Sequence, residues 1–264
     1  MPKSVSIPTV LTIAGSDSSS GAGIAVDLKT FAAFGVHGLA AITAVTTQTT
    51  QRVRAIHRVP AAHVEAQIRA AFADFRIVAA KIGMLASAPI VSAVARALRD
   101  TAPGHIVLDP VLASSSGTSL LSATGLRALR EELLPMATLL TPNLPEAEIL
   151  LGRRIVDSAQ AAHDLRALGA RAVLLKGGHG RGREVCDVLA DARGIVEWRH
   201  PRLAMRARGT GCALASAIAA GLARGRKLRA AVAGAEAFVH RALMQSYRAG
   251  VGEVRHLDLV SPHV

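Results

Sequence analysis

The sequence predicts an α/β protein, a central and mostly parallel sheet wound with helices on both sides in three αβα layers. Three observations carry that expectation. Short runs rich in Val, Ile, Leu and Ala recur along the chain and are apolar at successive positions, as strands buried on both faces are. Between them lie longer segments whose apolar residues recur at helical spacing. With 264 residues, 50% of them hydrophobic and 19% charged, the chain carries enough apolar material for one large core.

Taken in order, strands are expected at residues 9–14, 39–46, 79–82, 106–108, 138–140 and 172–175. Helical patterns fall between them at 22–34, 61–75, 90–98, 123–133 and 159–168, so strand and helix alternate as in a doubly wound sheet. The character changes after Lys176: residues 186–189 and 195–199 look like a short antiparallel pair turning through 191–194. Two Ala-rich helices, 211–223 and 228–247, close the chain. No internal repeat and no linker long enough to divide the chain is present, so residues 1–264 are read as a single domain.

Composition narrows the function. A net charge of +12 would suit nucleic acid, an anionic surface or a phosphorylated small molecule. The cations are spread singly over the expected helices (Arg96, Arg99, Arg127, Arg130, Arg166), and the densest cluster, Arg224, Arg226, Lys227 and Arg229, has no aromatic among it. At 3% aromatic overall the chain is poorly equipped to stack bases, so neither a nucleic-acid nor a membrane partner is expected. Cys186 and Cys212 sit at no metal-ligand spacing and no run approaches the roughly 18 apolar residues of a membrane span, which reads as a cytoplasmic protein.

In an open parallel sheet ligands bind beyond the carboxyl ends of the strands. Those ends carry Gly15 to Gly23, Thr46 to Thr49, Gly83-Met84, Asp109-Pro110-Val111, Thr141-Pro142-Asn143 and Lys176 to His179. The first loop does not have the spacing of a dinucleotide fingerprint, no Walker-type lysine motif or nucleophile elbow occurs, and the histidines show no zinc spacing. Arg208-Gly209-Thr210-Gly211-Cys212 opens an apolar helix, where free N–H groups beside glycines make an anion site. At that position the helix end should lower the Cys212 thiol pKa and make a thiolate base available; a small residue beside a helix cap accounts for the same letters. Asn143 and Glu146, three apart, suit Mg²⁺ directly or through water, and equally an N-cap with an acidic first turn. Lys176 is either a phosphate cation or a lysine reaching to solvent.

Taken together, A-G-S-D-S-S-S-G-A-G-I-A-V-D-L-K-T-F at 14–31, K-I-G-M-L at 81–85, V-L-D-P-V at 107–111, T-P-N-L-P-E-A at 141–147, L-K-G-G-H at 175–179 and G-T-G-C at 209–212 closely resemble the hydroxymethylpyrimidine kinase branch of the ribokinase-like superfamily. The resemblance spans about residues 9–245. It implies a three-layer ribokinase-like fold and transfer of phosphate from MgATP to 4-amino-5-hydroxymethyl-2-methylpyrimidine, and to its monophosphate, on the thiamine pathway. It also implies a homodimer.

Carried over residue by residue, the resemblance gives Asp27 and Gln48 the pyrimidine's amino and ring nitrogens, with Gly15, Ala22, Gly23, Met84 and Val111 lining the same pocket. It gives Asn143 and Glu146 the magnesium, Lys176, Asn143 and Asp109 the ATP phosphates, and Gly209, Thr210, Gly211 and Cys212 the anion hole, with Cys212 as base. Three positions depart from the family pattern: Arg208 stands for the usual His, Ser20 for a common Gly, and Thr118 for a frequent Asp. A pyridoxal-type vitamin kinase and a non-catalytic pyrimidine-binding regulator are the competing readings.

Overall fold

The structure, a computed structural model, describes residues 7–114, 117, 119–180 and 182–260. Nine strands form one sheet: β1 (Thr9–Asp17), β2 (His37–Gln48), β3 (Val53–Arg58), β4 (Ile77–Ile82), β5 (His105–Leu108), β6 (Leu139–Leu140), β7 (Val173–Leu175), β8 (Glu184–Asp191) and β9 (Gly194–Pro201). Their order is β3-β2-β1-β4-β5-β6-β7-β8-β9. From β2 to β7 every neighbouring pair is parallel, and β3, β8 and β9 add antiparallel margins. A separate parallel pair joins β10 (Ala207–Arg208) to β11 (Arg255–His256).

The central strands are apolar at every position because they are covered twice. Leu11, Ile13, Ala80, Ile82, Ile106 and Leu108 pack in one cluster with α2 (Ala61–Asp74), α3 (Ala88–Thr101) and α6 (Ser158–Ala167). Their alternates Val10, Ala79 and Val107 pack in a second cluster with α1 (Gly23–Ala33), α7 (Thr210–Ala223) and α8 (Leu228–Met244). Two short helices, α4 (Ala123–Ala128) and α5 (Leu144–Leu151), complete the layers. Helix α7 is buried along its whole length from Ala213 to Ala223, which its small residues permit: a methyl group at Gly221 would lie 3.1 Å from Ala231 Cβ.

Of the elements that differ from the sequence expectation, four have a clear physical reason. Strand β3 was not anticipated, because it is an edge strand with no buried residue and therefore no apolar stripe to read. Strand β2 runs two residues beyond the expected 39–46, carried to Gln48 by pairing with β3. The helix expected over 123–133 is α-helical only to Ala128 and continues as a π turn over Leu129–Leu133, before Pro135 enters a 3-10 turn. Helix α8 stops at Met244 and not at 247, because Tyr247 exchanges backbone hydrogen bonds with His256.

Candidate active site

Strand order reverses around β1 and β4, and a cavity of about 490 Å³ opens beyond the carboxyl ends of these strands. Of the residues expected there, Gly15, Ala22, Gly23, Gln48, Met84, Asp109, Val111, Asn143, Glu146, Lys176, Gly209, Thr210, Gly211 and Cys212 all line it. Asp27 does not.

The loop after β1 folds back on itself, with Ser16 bridged to Gly23. Gly23 has φ +61°, and a Cβ there would fall 2.2 Å from the Gly15 carbonyl oxygen, so no larger residue fits. Asp17 holds the turn: its Oδ1 accepts from the Ser19 amide and hydroxyl, both at 2.8 Å. Ser20, where the resemblance expects glycine, keeps the left-handed conformation at φ 55°. For an L-residue that costs about 1–2 kcal/mol. Thr118, with Ser115 and Ser116, lies outside the described residues.

Gly209 is the N-cap of α7 at φ +77°, its Cα packed so close to Gly21 that a Cβ would sit 2.5 Å from that carbonyl oxygen. The N–H groups of Thr210, Gly211 and Cys212 form the first turn, which has no intrahelical acceptors. A Cβ on Gly211 would approach Lys176 Nζ to 3.1 Å, so the missing side chain is what lets the ammonium stand over this turn. Lys176 donates to Asp109 Oδ1 at 2.7 Å, and Thr141 Oγ1 donates to the same oxygen at 3.3 Å. Backbone amides, a helix end and an ammonium thus converge on one corner of the cavity, an arrangement for phosphate charge.

Asn143 and Glu146 form a capping box on α5: Asn143 Oδ1 accepts from the Glu146 amide at 3.0 Å, and Glu146 Oε2 accepts from the Asn143 amide at 2.9 Å. The capping role expected of these letters is therefore present, and it turns both side chains to the cavity wall. Burial pushes the Glu146 carboxyl up to about 7, with nearby Asp109 adding to the shift and Lys176 opposing it. Hard oxygen donors with more negative charge than Lys176 balances fit a partly hydrated Mg²⁺.

Two expectations are corrected. Asp27 does not meet the cavity: it is fully buried beneath it, where both its oxygens lie 2.9 Å from Lys81 Nζ while Thr12 and Ser216 hydroxyls donate to it at 2.6 and 2.8 Å. No lone pair is left facing a ligand, so Asp27 supports the floor of the site through Lys81. The Cys212 thiol is not lowered by its helix end; burial pushes it up to about 11, with Lys81 opposing and Asp27 and Asp109 adding to the rise. Desolvation of the thiolate outweighs the partial charge of the helix.

Lys81 is the residue whose role the sequence did not reveal, although a lysine inside an otherwise apolar strand signals a buried ion pair. Arg208 gains a definite place: it is 8% exposed, donates to the Thr49 carbonyl at 2.6 Å and lies 3.4 Å from Asp17 Oδ2. With its amide turned to donate to Thr46 at 3.2 Å, Gln48 accepts from Arg208 Nη1 at 3.0 Å. The guanidinium therefore ties the loop after β1 and the β2–β3 turn to the start of α7.

A three-layer αβα sheet with an anion hole at a glycine-capped helix, a nearby lysine and a carboxylate pair defines a ribokinase-like small-molecule kinase. A family model described as phosphomethylpyrimidine kinase matches residues 17–256. The chain is 45% identical to a hydroxymethylpyrimidine/phosphomethylpyrimidine kinase of Rhizobium meliloti, over 93% of this chain and 94% of that one. It is 42% identical to an enzyme of the same name from Aquifex aeolicus, over 92% and 96%. Among solved structures, phosphomethylpyrimidine kinase from Clostridium difficile superposes with a TM-score of 0.80 at 36% identity, covering 90% of this chain and 100% of that one. An ADP complex of Bacillus subtilis pyridoxal kinase does so with a TM-score of 0.86 at 30% identity, covering 96% and 97%. The chain belongs to the phosphomethylpyrimidine kinase family.

Proposed function

We propose that this chain, acting as a single domain, transfers the γ-phosphoryl group of ATP to the hydroxymethyl group of 4-amino-5-hydroxymethyl-2-methylpyrimidine and then phosphorylates the monophosphate, in thiamine biosynthesis. The observation that carries the reading is the junction of two half-sites in one cavity. Gly15, Gly23, Met84 and Val111, small or apolar residues suited to a flat ring, line the cavity together with Gln48. The same cavity is lined by the first turn of α7, Lys176, Asp109, Asn143 and Glu146.

In this reading the amides of Gly209 to Cys212 and the Lys176 ammonium take up charge on the transferring group, which is most of what phosphoryl transfer asks of a protein. Asn143 and Glu146 would hold Mg²⁺, which supplies charge neutralisation at the phosphates when bound. With its thiol held high, Cys212 rests protonated, so the base is its minor thiolate form: the thiol first releases its own proton to solvent, and the thiolate then takes the hydroxyl proton late, as the oxygen commits to phosphorus. Gln48 reads the ring's polar edge while Asp27 keeps Lys81 in place below it.

Pyridoxal also carries a hydroxymethyl group, and the likeness to pyridoxal kinases at 30% identity makes it the comparison substrate. Incubation with each compound and MgATP, followed by mass detection, is expected to give the pyrimidine monophosphate and diphosphate with higher kcat/KM than pyridoxal phosphate. Preferential phosphorylation of pyridoxal would reverse the assignment. The family resemblance alone carries a homodimer. Both cysteines are free thiols, in keeping with a reducing cytoplasm, and among the described residues no helix is long and apolar enough to cross a membrane.

A further inference from the structure

Away from the strand-end cavity, three side chains from three elements meet between the sheet margin and α8. Asp187 comes from β8, His200 from β9 and Glu236 from α8, and one donor atom from each lies within 4.8 Å of the others. A metal with bonds of roughly 2.0–2.2 Å needs its donors about 3 to 3.6 Å apart, a contraction that side-chain torsions supply without moving the backbone. His240, one helical turn after Glu236, stands edge-on to His200 at 5.6 Å between ring centroids and brings a further nitrogen to the margin of the group.

Without a cation the two carboxyl groups of this pocket close only through a shared proton. Asp187 is 5% exposed; its Oδ1 accepts from Gly177 N–H, and its carboxyl also meets Glu236 in a side-chain hydrogen bond. Glu236 Oε1 is sealed from solvent and has no hydrogen-bond partner among the described residues. Two carboxyl groups meeting in a buried space need a proton or a cation between them. Burial, and then the neighbouring Asp187, push the Glu236 carboxyl up to about 9, with distant Lys176 pulling the other way. His200 offers a ring nitrogen to the group. One imidazole and two carboxylates are a donor set for a first-row divalent ion of the zinc, cobalt or manganese kind, not for magnesium.

We propose that Asp187, His200 and Glu236 form a transition-metal site, separate from the magnesium position proposed at Asn143 and Glu146, that pins α8 to the β8–β9 hairpin. Through the Asp187 bond to Gly177 the same ion steadies the backbone that follows Lys176.

Cobalt(II) is the probe, because coordination by imidazole and carboxylate gives a visible absorption band that hexaaqua cobalt lacks. Titration of the full chain with CoCl₂ alone is expected to raise one band that saturates at one equivalent per chain and is bleached by ZnCl₂. The band is expected to vanish in both His200→Ala and Glu236→Gln, the latter nearly isosteric, and to persist in Glu146→Gln. A melting temperature raised by roughly 5 °C at ~100-fold metal excess over Kd in the wild type, and unshifted in Glu236→Gln, gives an independent reading. Absence of the band, its survival in either pocket variant, or its loss in Glu146→Gln would overturn the site; the first of these would leave the carboxyl pair closed by a proton.

Discussion

Glu146 shows how one residue can serve fold and chemistry with the same atoms. Its carboxylate closes the capping box of α5, and its burial beside Asp109 lifts its pKa from 4.5 to about 7. Between those values the folded chain holds a proton that the unfolded chain has released, so this group's contribution to stability falls as pH rises from 4.5 to 7 and stays low above. Urea midpoints measured across that range without Mg²⁺ or nucleotide should drop more steeply for the wild type than for Glu146→Gln, and parallel curves would contradict the burial argument. Adding Mg²⁺ should recover part of the lost stability at neutral pH in the wild type only. Cys212 makes the opposite point about reading sequence. Its place in the first turn of a helix was legible, but its ionisation was not, because desolvation depends on what the fold packs around it.

At the scale of elements, the cavity floor is one ion pair spanning the sheet and the layer above it. Lys81 on β4 and Asp27 on α1 are each fully buried, and Thr12 on β1 and Ser216 on α7 complete the carboxylate's hydrogen bonds. Removing one partner strands a charge in the core, so Lys81→Met is expected to cost about 3–5 kcal/mol and the double variant Lys81→Met, Asp27→Leu distinctly less. Chemical denaturation of the two variants measures this; equal losses would mean that the pair is not the determinant. The periodicity that announced β1, β4 and α1 in the sequence is the same packing that hides this pair. What sequence could not show is the diagonal reach of Lys81 to Asp27, 54 residues apart. Strand β3 escaped notice for the converse reason, since an exposed edge strand has no buried face to mark it.

At the scale of the whole molecule, the alternation of apolar runs and helical periods was enough to give a doubly wound sheet, because burial on two faces leaves that signature in composition. The site was legible to the extent that it sits on strand ends: Gly15, Met84, Asp109, Asn143, Lys176 and Gly209 arrive in one cavity as parallel strands bring their carboxyl ends together. Arg208 illustrates the remainder. Its letter was visible as a departure from the family, but its bonds to Asp17 and Thr49 belong to the closing of the β1 loop and the β2–β3 turn over the start of α7. These levels meet in one proposal: the glycine-capped start of α7 stabilises the transferring phosphoryl group while the thiolate form of Cys212 receives the hydroxyl proton. Rapid-quench, single-turnover transfer from ATP to hydroxymethylpyrimidine, compared between wild type and Cys212→Ala of matched far-UV spectrum, tests it most directly. A fall of about 10²–10⁴-fold in the transfer rate, with substrate affinity nearly kept, is expected; transfer at close to the wild-type rate would remove Cys212 as the base.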